Sequence, residues 1–276
     1  MDSPSTTSNG FVKFAFIIFI LIVFIFAFST LSKWITSMAH NPDPLLIDGM
    51  INAEEQHIIS QSPSVPGSIT LERSQDEDGG ISFTWSVWMY IADLQYGSGK
   101  YKHVFHKGND GIQFDSDTPG INFPNNGPGL YIAPNTNDLV VIMNTFSTIN
   151  EEVTIPNLPM NKWFHILIRV EGENLDVYMN GSIAKRHVLN DVPKQNYGDV
   201  YVAMNGGFNG YISSLRYYSR ALPPGEIQSL VNKGPSLKLK TNSNFLNIFP
   251  SYLSLRWYFQ GEGSQPYMAN PPAYMP

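Results

Sequence analysis

The side chains in this chain that could move protons or hold a metal are carboxylates and imidazoles, because it contains no cysteine. That absence removes disulfides, thiolate zinc sites and a cysteine nucleophile. Retaining hydrolysis of a glycosidic bond needs two carboxyl groups about 5 Å apart, which alternate residues on one strand provide. The acidic residues are not spaced that way. Asp76, Glu77 and Asp78 run consecutively into Gly79-Gly80 and read as a turn, and Glu151 and Glu152 are adjacent, so on a strand they face opposite ways. His103 and His106 are three apart in a strand-like run and are expected on opposite faces. His165 lies in an alternating apolar segment, where a hydrogen-bonded structural imidazole is its expected role. Neither a Gly-x-Ser-x-Gly elbow nor a phosphate-cradling glycine loop occurs. This chemistry points away from an enzyme.

Ligand-binding candidates remain. Asp110, Asp115 and Asp117, beside Asn109, offer hard oxygen atoms in one loop and are the candidate calcium ligands. Solvated acidic turns bonded to their own backbone are the alternative, and no other cofactor is expected. Trp88, Tyr90 and Tyr131 are candidate sugar-stacking aromatics, although a strand aromatic more often belongs to a core. Asn180-Gly181-Ser182 is a glycosylation sequon that would need a luminal domain, and its Asn-Gly pair is equally explained as a hairpin turn. Tyr252, Trp257, Tyr258 and Phe259 lie among Pro and Gly near the C-terminus, either packing back on the domain or contacting a neighbouring protein. Net charge is −6 with no Lys/Arg cluster, which excludes a nucleic-acid partner.

The elements that must position these residues centre on Trp163 to Leu189. Period-2 alternation on either side of Gly172 and of Asn180-Gly181 predicts three antiparallel strands, with Asn180 and Gly181 supplying the two positive-φ positions of a type I′ turn. Phe164, Ile166, Ile168 and Val170 point one way, and Trp163, His165, Leu167 and Arg169 the other. Ile81–Tyr90 is a strong strand with Phe83, Trp85, Val87 and Met89 on one face. Shorter strands are predicted over 68–73, 102–106, 111–114, 129–132, 139–145, 199–204 and 211–218, and a helix between Pro223 and Gly234.

Before this pattern, residues 1–10 form a polar tail and 11–35 a membrane-spanning helix. The uncharged run from Phe14 to Leu31 is roughly 27 Å long as a helix, close to the bilayer's hydrocarbon thickness. Phe14, Ile18, Leu21, Phe24 and Phe28 are its lipid-facing residues and Trp34 its interfacial aromatic. A cleaved signal peptide ending near Ala27-Phe28-Ser29 is the alternative. Residues 36–67 read as a linker, 68–236 as a sandwich and 237–276 as an aromatic, Pro-rich extension.

Three stretches, in order, carry a family resemblance: FTWSVWMYI, KWFHILIRVEGENLDVYMNGSIA and GGFNGYISSLRYYSRALPPGEIQSLV. They resemble the laminin-G-like, concanavalin A-like jelly-roll domain. Its W-x-H strand matches Trp163 and His165, and its Y-x-N-G hairpin Tyr178, Asn180 and Gly181. Its G-x-I-x-x-x-R-x-Y strand matches Gly210, Ile212, Arg216 and Tyr218, and its helix start matches Ala221, Leu222, Glu226 and Ile227. The resemblance implies an all-β fold of two antiparallel sheets packed face to face, with a concave face that binds sugars in some relatives. An N-terminal anchor ahead of such a domain is similar in architecture to minor structural (capsid) proteins of large DNA viruses of algae. The expected function is a non-catalytic, single-pass membrane protein linking a bilayer to a surrounding protein shell in a virion, with lipid and neighbouring capsid proteins as partners. A surface module binding glycans is the alternative, and a glycan hydrolase with an unrecognised site is the third reading.

Overall fold

The structure, a computed structural model, describes residues 7–39, 43–74, 76–77 and 80–239. Its N-terminal element is a helix, α1 (Thr7–Ala39). Thirteen strands follow: β1 (Met50–Asn52), β2 (His57–Ile59), β3 (Asp76–Glu77), β4 (Gly80–Asp93), β5 (Lys102–Gly108), β6 (Gly129–Ile132), β7 (Leu139–Met143), β8 (Glu151–Ile155), β9 (Trp163–Glu171), β10 (Asn174–Met179), β11 (Ser182–Val188), β12 (Asp199–Val202) and β13 (Asn209–Tyr218). A second helix, α2 (Pro224–Lys233), comes last, with a proline in its first turn where no backbone N–H is needed. The strands form two antiparallel sheets, ordered β1-β13-β4-β9-β10-β11 with β3 beside β4, and β2-β12-β5-β6-β7-β8. This is the two-sheet sandwich that the family resemblance implies.

The predicted apolar faces meet between the sheets. Phe83, Trp85, Val87 and Met89 from β4 and Phe164, Ile166, Ile168 and Val170 from β9 share one core with residues of the other sheet. Trp85 stands at its centre, stacked on Phe105 of the second sheet at 5.1 Å and tilted against Tyr217 at 5.1 Å. At the β10–β11 hairpin, Asn180 and Gly181 have φ of 50° and 82°, the two left-handed positions of a type I′ turn. A Cβ on Gly181 would also press on Gln228 and Val231 of α2, so close packing reinforces the choice of glycine.

The sandwich begins earlier than its sequence pattern suggests. Within 36–67, the segment read as a linker, β1 and β2 close one edge of each sheet, and Leu46 and Ile47 are 1% exposed in the core. The run 68–73 joins neither sheet, and of 111–114 only Ile112 makes a bridge, to Asn122. β8 was hidden in the sequence by its two glutamates, yet its residues alternate buried and exposed.

The chain is also fastened where it joins the sandwich. Arg220 Nη1 donates to both Asp43 oxygens at 2.8 and 2.9 Å, and Arg216 Nη1 donates to the Asp43 carbonyl at 3.1 Å. Backbone bonds from Tyr217 to Pro44 and from Leu46 and Ile47 to Leu215 continue the seam. Replacing Trp85 by Ala should cost about 3–5 kcal/mol, because its cavity opens between sheets that cannot collapse onto each other. Chemical denaturation read by circular dichroism would show this as a lower midpoint with an unchanged slope.

Candidate functional site

Three aromatic side chains stand abreast on the outer face of the first sheet. Tyr211 of β13 lies opposite Tyr90 of β4, which lies opposite Trp163 of β9. Neighbouring ring centroids are 6.1 and 5.8 Å apart, and all three residues are half-buried. Two residues along, Ser213, Trp88 and His165 form the next row on this face, and there the sheet is covered. Ser213 Oγ accepts from Ser236 N–H at 3.0 Å and donates to the Ser236 carbonyl at 2.8 Å, which holds the segment after α2 on this surface. Further along, α2 packs Ile227 and Leu230 against Leu167, Tyr178 and Tyr218.

Of the three candidate sugar contacts, only Tyr90 reaches solvent. Trp88 is 8% exposed, its ring tilted on His165 at 5.1 Å, and Tyr131 is fully buried on the other sheet. Trp88 and Tyr131, expected as candidate sugar-stacking aromatics, are buried and present no ring face to a sugar. Strand periodicity points all three away from the inter-sheet core, but segments distant in sequence cover two of them.

The second sheet is roofed by residues 109–128. Beneath that loop, Ile121 packs on Tyr131, Val140 and Ile142. Tyr131 Oη donates to Asn126 Oδ1 at 2.7 Å and accepts from Asn122 N–H at 3.2 Å, and Asn126 Nδ2 donates to the Asn122 carbonyl at 2.7 Å.

His103 and His106, expected on opposite faces, share this one. Between them the β5–β6 register shifts, so that Val104 and Phe105 both turn into the inter-sheet core. The imidazoles form a directed chain. Met204 N–H donates to His103 Nδ1 at 3.1 Å, so His103 carries its proton on Nε2 and donates to His106 Nδ1 at 2.6 Å. His106 Nε2 then donates to the Asn109 carbonyl at 2.9 Å, and its ring stacks on Tyr201. Burial, followed by the neighbouring His106, pushes His103 well below the usual histidine value, and burial pushes His106 to about 4. Each ring is held neutral, with its nitrogens committed to structure.

A cleft of ≈ 250 Å³ opens at the end of the sandwich near Tyr217. Phe83, Trp85 and Tyr217 contribute aromatic surface, and Arg73, Lys107 and Lys194 contribute cations. Lys107 Nζ donates to the Gly198 carbonyl at 2.6 Å. Burial lowers it to about 8, against the opposing pull of Asp199. Arg73 lies over the Tyr197 ring at 5.3 Å, and Lys194 over Phe146 at 5.3 Å. A second cleft of ≈ 230 Å³ shares Arg73 and Gln195 with the first. Sequence reasoning missed this site, because its lining comes from seven separate stretches and no local motif marks it.

The remaining candidates do not assemble. Asp110, Asp115 and Asp117 are exposed along the roof loop, and among the described residues no three His, Asp or Glu side chains come together as a metal site. Glu151 is 5% exposed and accepts from His187 Nε2 at 2.8 Å and from Asn190 N–H at 3.0 Å, while Glu152 faces solvent. Asn180 is exposed, with its Oδ1 accepting from His165 N–H at 2.9 Å. Phe14, Ile18, Leu21, Phe24 and Phe28 are all exposed on α1, whose long apolar window is 0% buried among the described residues. The side chain of Trp34, and Tyr252, Trp257, Tyr258 and Phe259, lie outside the described residues.

Fold, register and motif order define a laminin-G-like β-sandwich. The chain belongs to the concanavalin A-like lectin/glucanases superfamily, through a laminin-G family model that matches residues 66–228. No curated protein matches it. Among solved structures it is similar to the binding domain of Paraclostridial mosquitocidal protein 1, at 16% identity and TM-score 0.47 over 70% of this chain and 46% of that one. It is also similar to the binding domain of botulinum neurotoxin DC in complex with rat synaptotagmin II, at 14% identity and TM-score 0.45 over 70% and 51%. The chain thus spans about half the length of these structures, and the likeness is one of fold alone.

The buried histidines set a pH dependence. His106 and His165 are each lowered by burial from 6.5 to about 4, so the unfolded chain binds protons that the folded one refuses between those values. Stability is full above pH 6.5 and falls as pH drops toward 4. His165→Gln, which can keep the bond to Ser86, should remove up to about 1.4 kcal/mol per pH unit from that slope, measured by denaturant titrations between pH 7 and 5.

Proposed function

We propose that this protein is a non-catalytic, membrane-anchored binding module that holds a rigid β-sandwich against a bilayer and links it to a neighbouring protein layer. The observation that carries the reading is the joint between helix and sandwich. α1 presents a 21-residue stretch, apolar but for Lys13 and the hydroxyls of Ser29, Thr30 and Ser32, that no other described residue covers, and only residues 40–42 separate it from the clamped Asp43. Three residues span at most about 11 Å, so a body fastened at Asp43 stays beside the membrane that α1 enters. Within α1, Ser29, Thr30 and Ser32 satisfy their hydroxyls by donating to backbone carbonyls of the preceding turn, as an apolar surrounding requires.

The absence of a catalytic role is supported by the titratable groups: His103, His106 and Glu151 are buried and bonded within the sandwich. An assembly in which a protein shell overlies a membrane, as for a minor capsid-type component of a virion, is a setting that suits such a tether. The half-buried row Tyr211–Tyr90–Trp163 favours a second reading, in which the module recognises a glycan by ring stacking.

Carbonate extraction at pH 11, followed by N-terminal sequencing, tests the anchor. The protein should stay in the membrane pellet with α1 intact. Recovery of a soluble chain beginning beyond Ser29 would refute the proposal. On a glycan array, saturable binding that is lost in a Tyr90→Ala, Trp163→Ala double variant would select the second reading.

A further inference from the structure

The cleft lies beside the joint to the membrane helix. Tyr217 belongs to both: its N–H bonds to Pro44, next to the clamped Asp43, and its ring lines the cleft. From the apolar stretch ending at Ser32, seven further helical residues add roughly 10 Å and residues 40–42 at most about 11 Å. Asp43 is thereby kept within about 25 Å of the hydrocarbon edge, a reach that includes the headgroup layer.

We infer that this cleft binds the headgroup of an anionic membrane lipid in which a phosphate is joined to a polyol such as glycerol or inositol. Its cations are available for an anion. Among the described residues none of Arg73, Lys107 and Lys194 has a carboxylate within ion-pair distance: Arg73 and Lys194 rest on aromatic rings, and Lys107 donates to a neutral carbonyl. Glu72 and Asp199 also line the cleft, and Asp199 Oδ1 already accepts from Gln61 N–H at 2.7 Å. Among the described lining residues, three cations against two carboxylates leave a positive excess in a chain whose net charge is −6. Thr70, Gln195 and Asn196 add hydroxyl and amide groups, the donors and acceptors that polyol hydroxyls need. The ≈ 250 Å³ of the cleft falls below the roughly 300–1,000 Å³ of drug-sized pockets and suits one headgroup, with the adjoining ≈ 230 Å³ cleft beside it.

The source of the ligand rests on the anchored reading above, so the experiment is run in micelles, where binding does not depend on insertion. The full chain in dodecyl maltoside is titrated by calorimetry with dihexanoyl phosphatidylglycerol, dihexanoyl phosphatidylcholine and glycerol 3-phosphate. Phosphatidylglycerol should bind saturably and at least tenfold more tightly than either of the others. An Arg73→Gln, Lys194→Gln double variant should lose at least tenfold in affinity while its circular dichroism is unchanged. If that variant fails to fold, Arg73→Gln alone, which alters an exposed side chain, should weaken binding several-fold. Equal affinity for the two lipids, or a folded variant that binds as tightly as the parent, overturns the site. Glycerol 3-phosphate binding as tightly as phosphatidylglycerol overturns its assignment to lipid. Loss of membrane retention on carbonate extraction leaves the micelle titration standing, so failure of the anchor and failure of the site are distinguishable.

Discussion

Neither sheet of this protein can stand without the other, because each carries a full apolar face that water would otherwise wet. Trp85 concentrates that dependence: its ring touches Phe105 across the inter-sheet space and Tyr217 along its own sheet. Aromatic contacts of this kind add roughly 0.5–1.5 kcal/mol beyond the area they bury. Tyr217 in turn donates its hydroxyl proton to the Glu72 carbonyl and its N–H to Pro44, which carries the order of the core out to the cleft rim and to the joint with α1.

Once the inner faces are closed, the outer faces decide what the sandwich can meet. The first sheet is shielded by α2 and the segment after it, and the second by residues 109–128. Polar groups beneath these covers must be satisfied locally. Asp176, wholly buried, is held by Arg186 through two bonds of 2.6 and 2.8 Å and by Arg169 at 3.4 Å, while Arg169 Nε also donates to Leu222 ahead of α2. The neutral His103–His106 chain does the same for the roof loop. Among the described residues, an aromatic row, two adjoining clefts and the edge strand β11 stay accessible.

The joint at Asp43 converts an apolar helix and a sandwich into parts with a short separation. A long flexible linker would let the domain explore a volume tens of ångströms across, whereas three residues reach at most about 11 Å. The fastening depends on Arg216 in β13 and Arg220 just after it, in a stretch whose sequence marks the family.

Much of this was legible in the amino-acid sequence. Strict alternation in β4, β9 and β10, the Asn180-Gly181 turn, the proline-initiated α2 and the uninterrupted apolar run in α1 are local signals, set by side-chain period and backbone geometry. Those signals determined the elements, the inner faces and the absence of paired strand carboxylates. Tertiary structure alone decided the rest. Residues 43–67 became edge strands because each sheet had an open edge to fill, not because three-residue strands have a pattern of their own. The shift at Val104 and Phe105 brought His103 and His106 together, since inserting one residue into a pleat reverses every side chain beyond it. Trp88 and Tyr131 left the surface, and a cationic cleft formed from seven stretches, because cover and convergence depend on contacts between residues far apart in the chain.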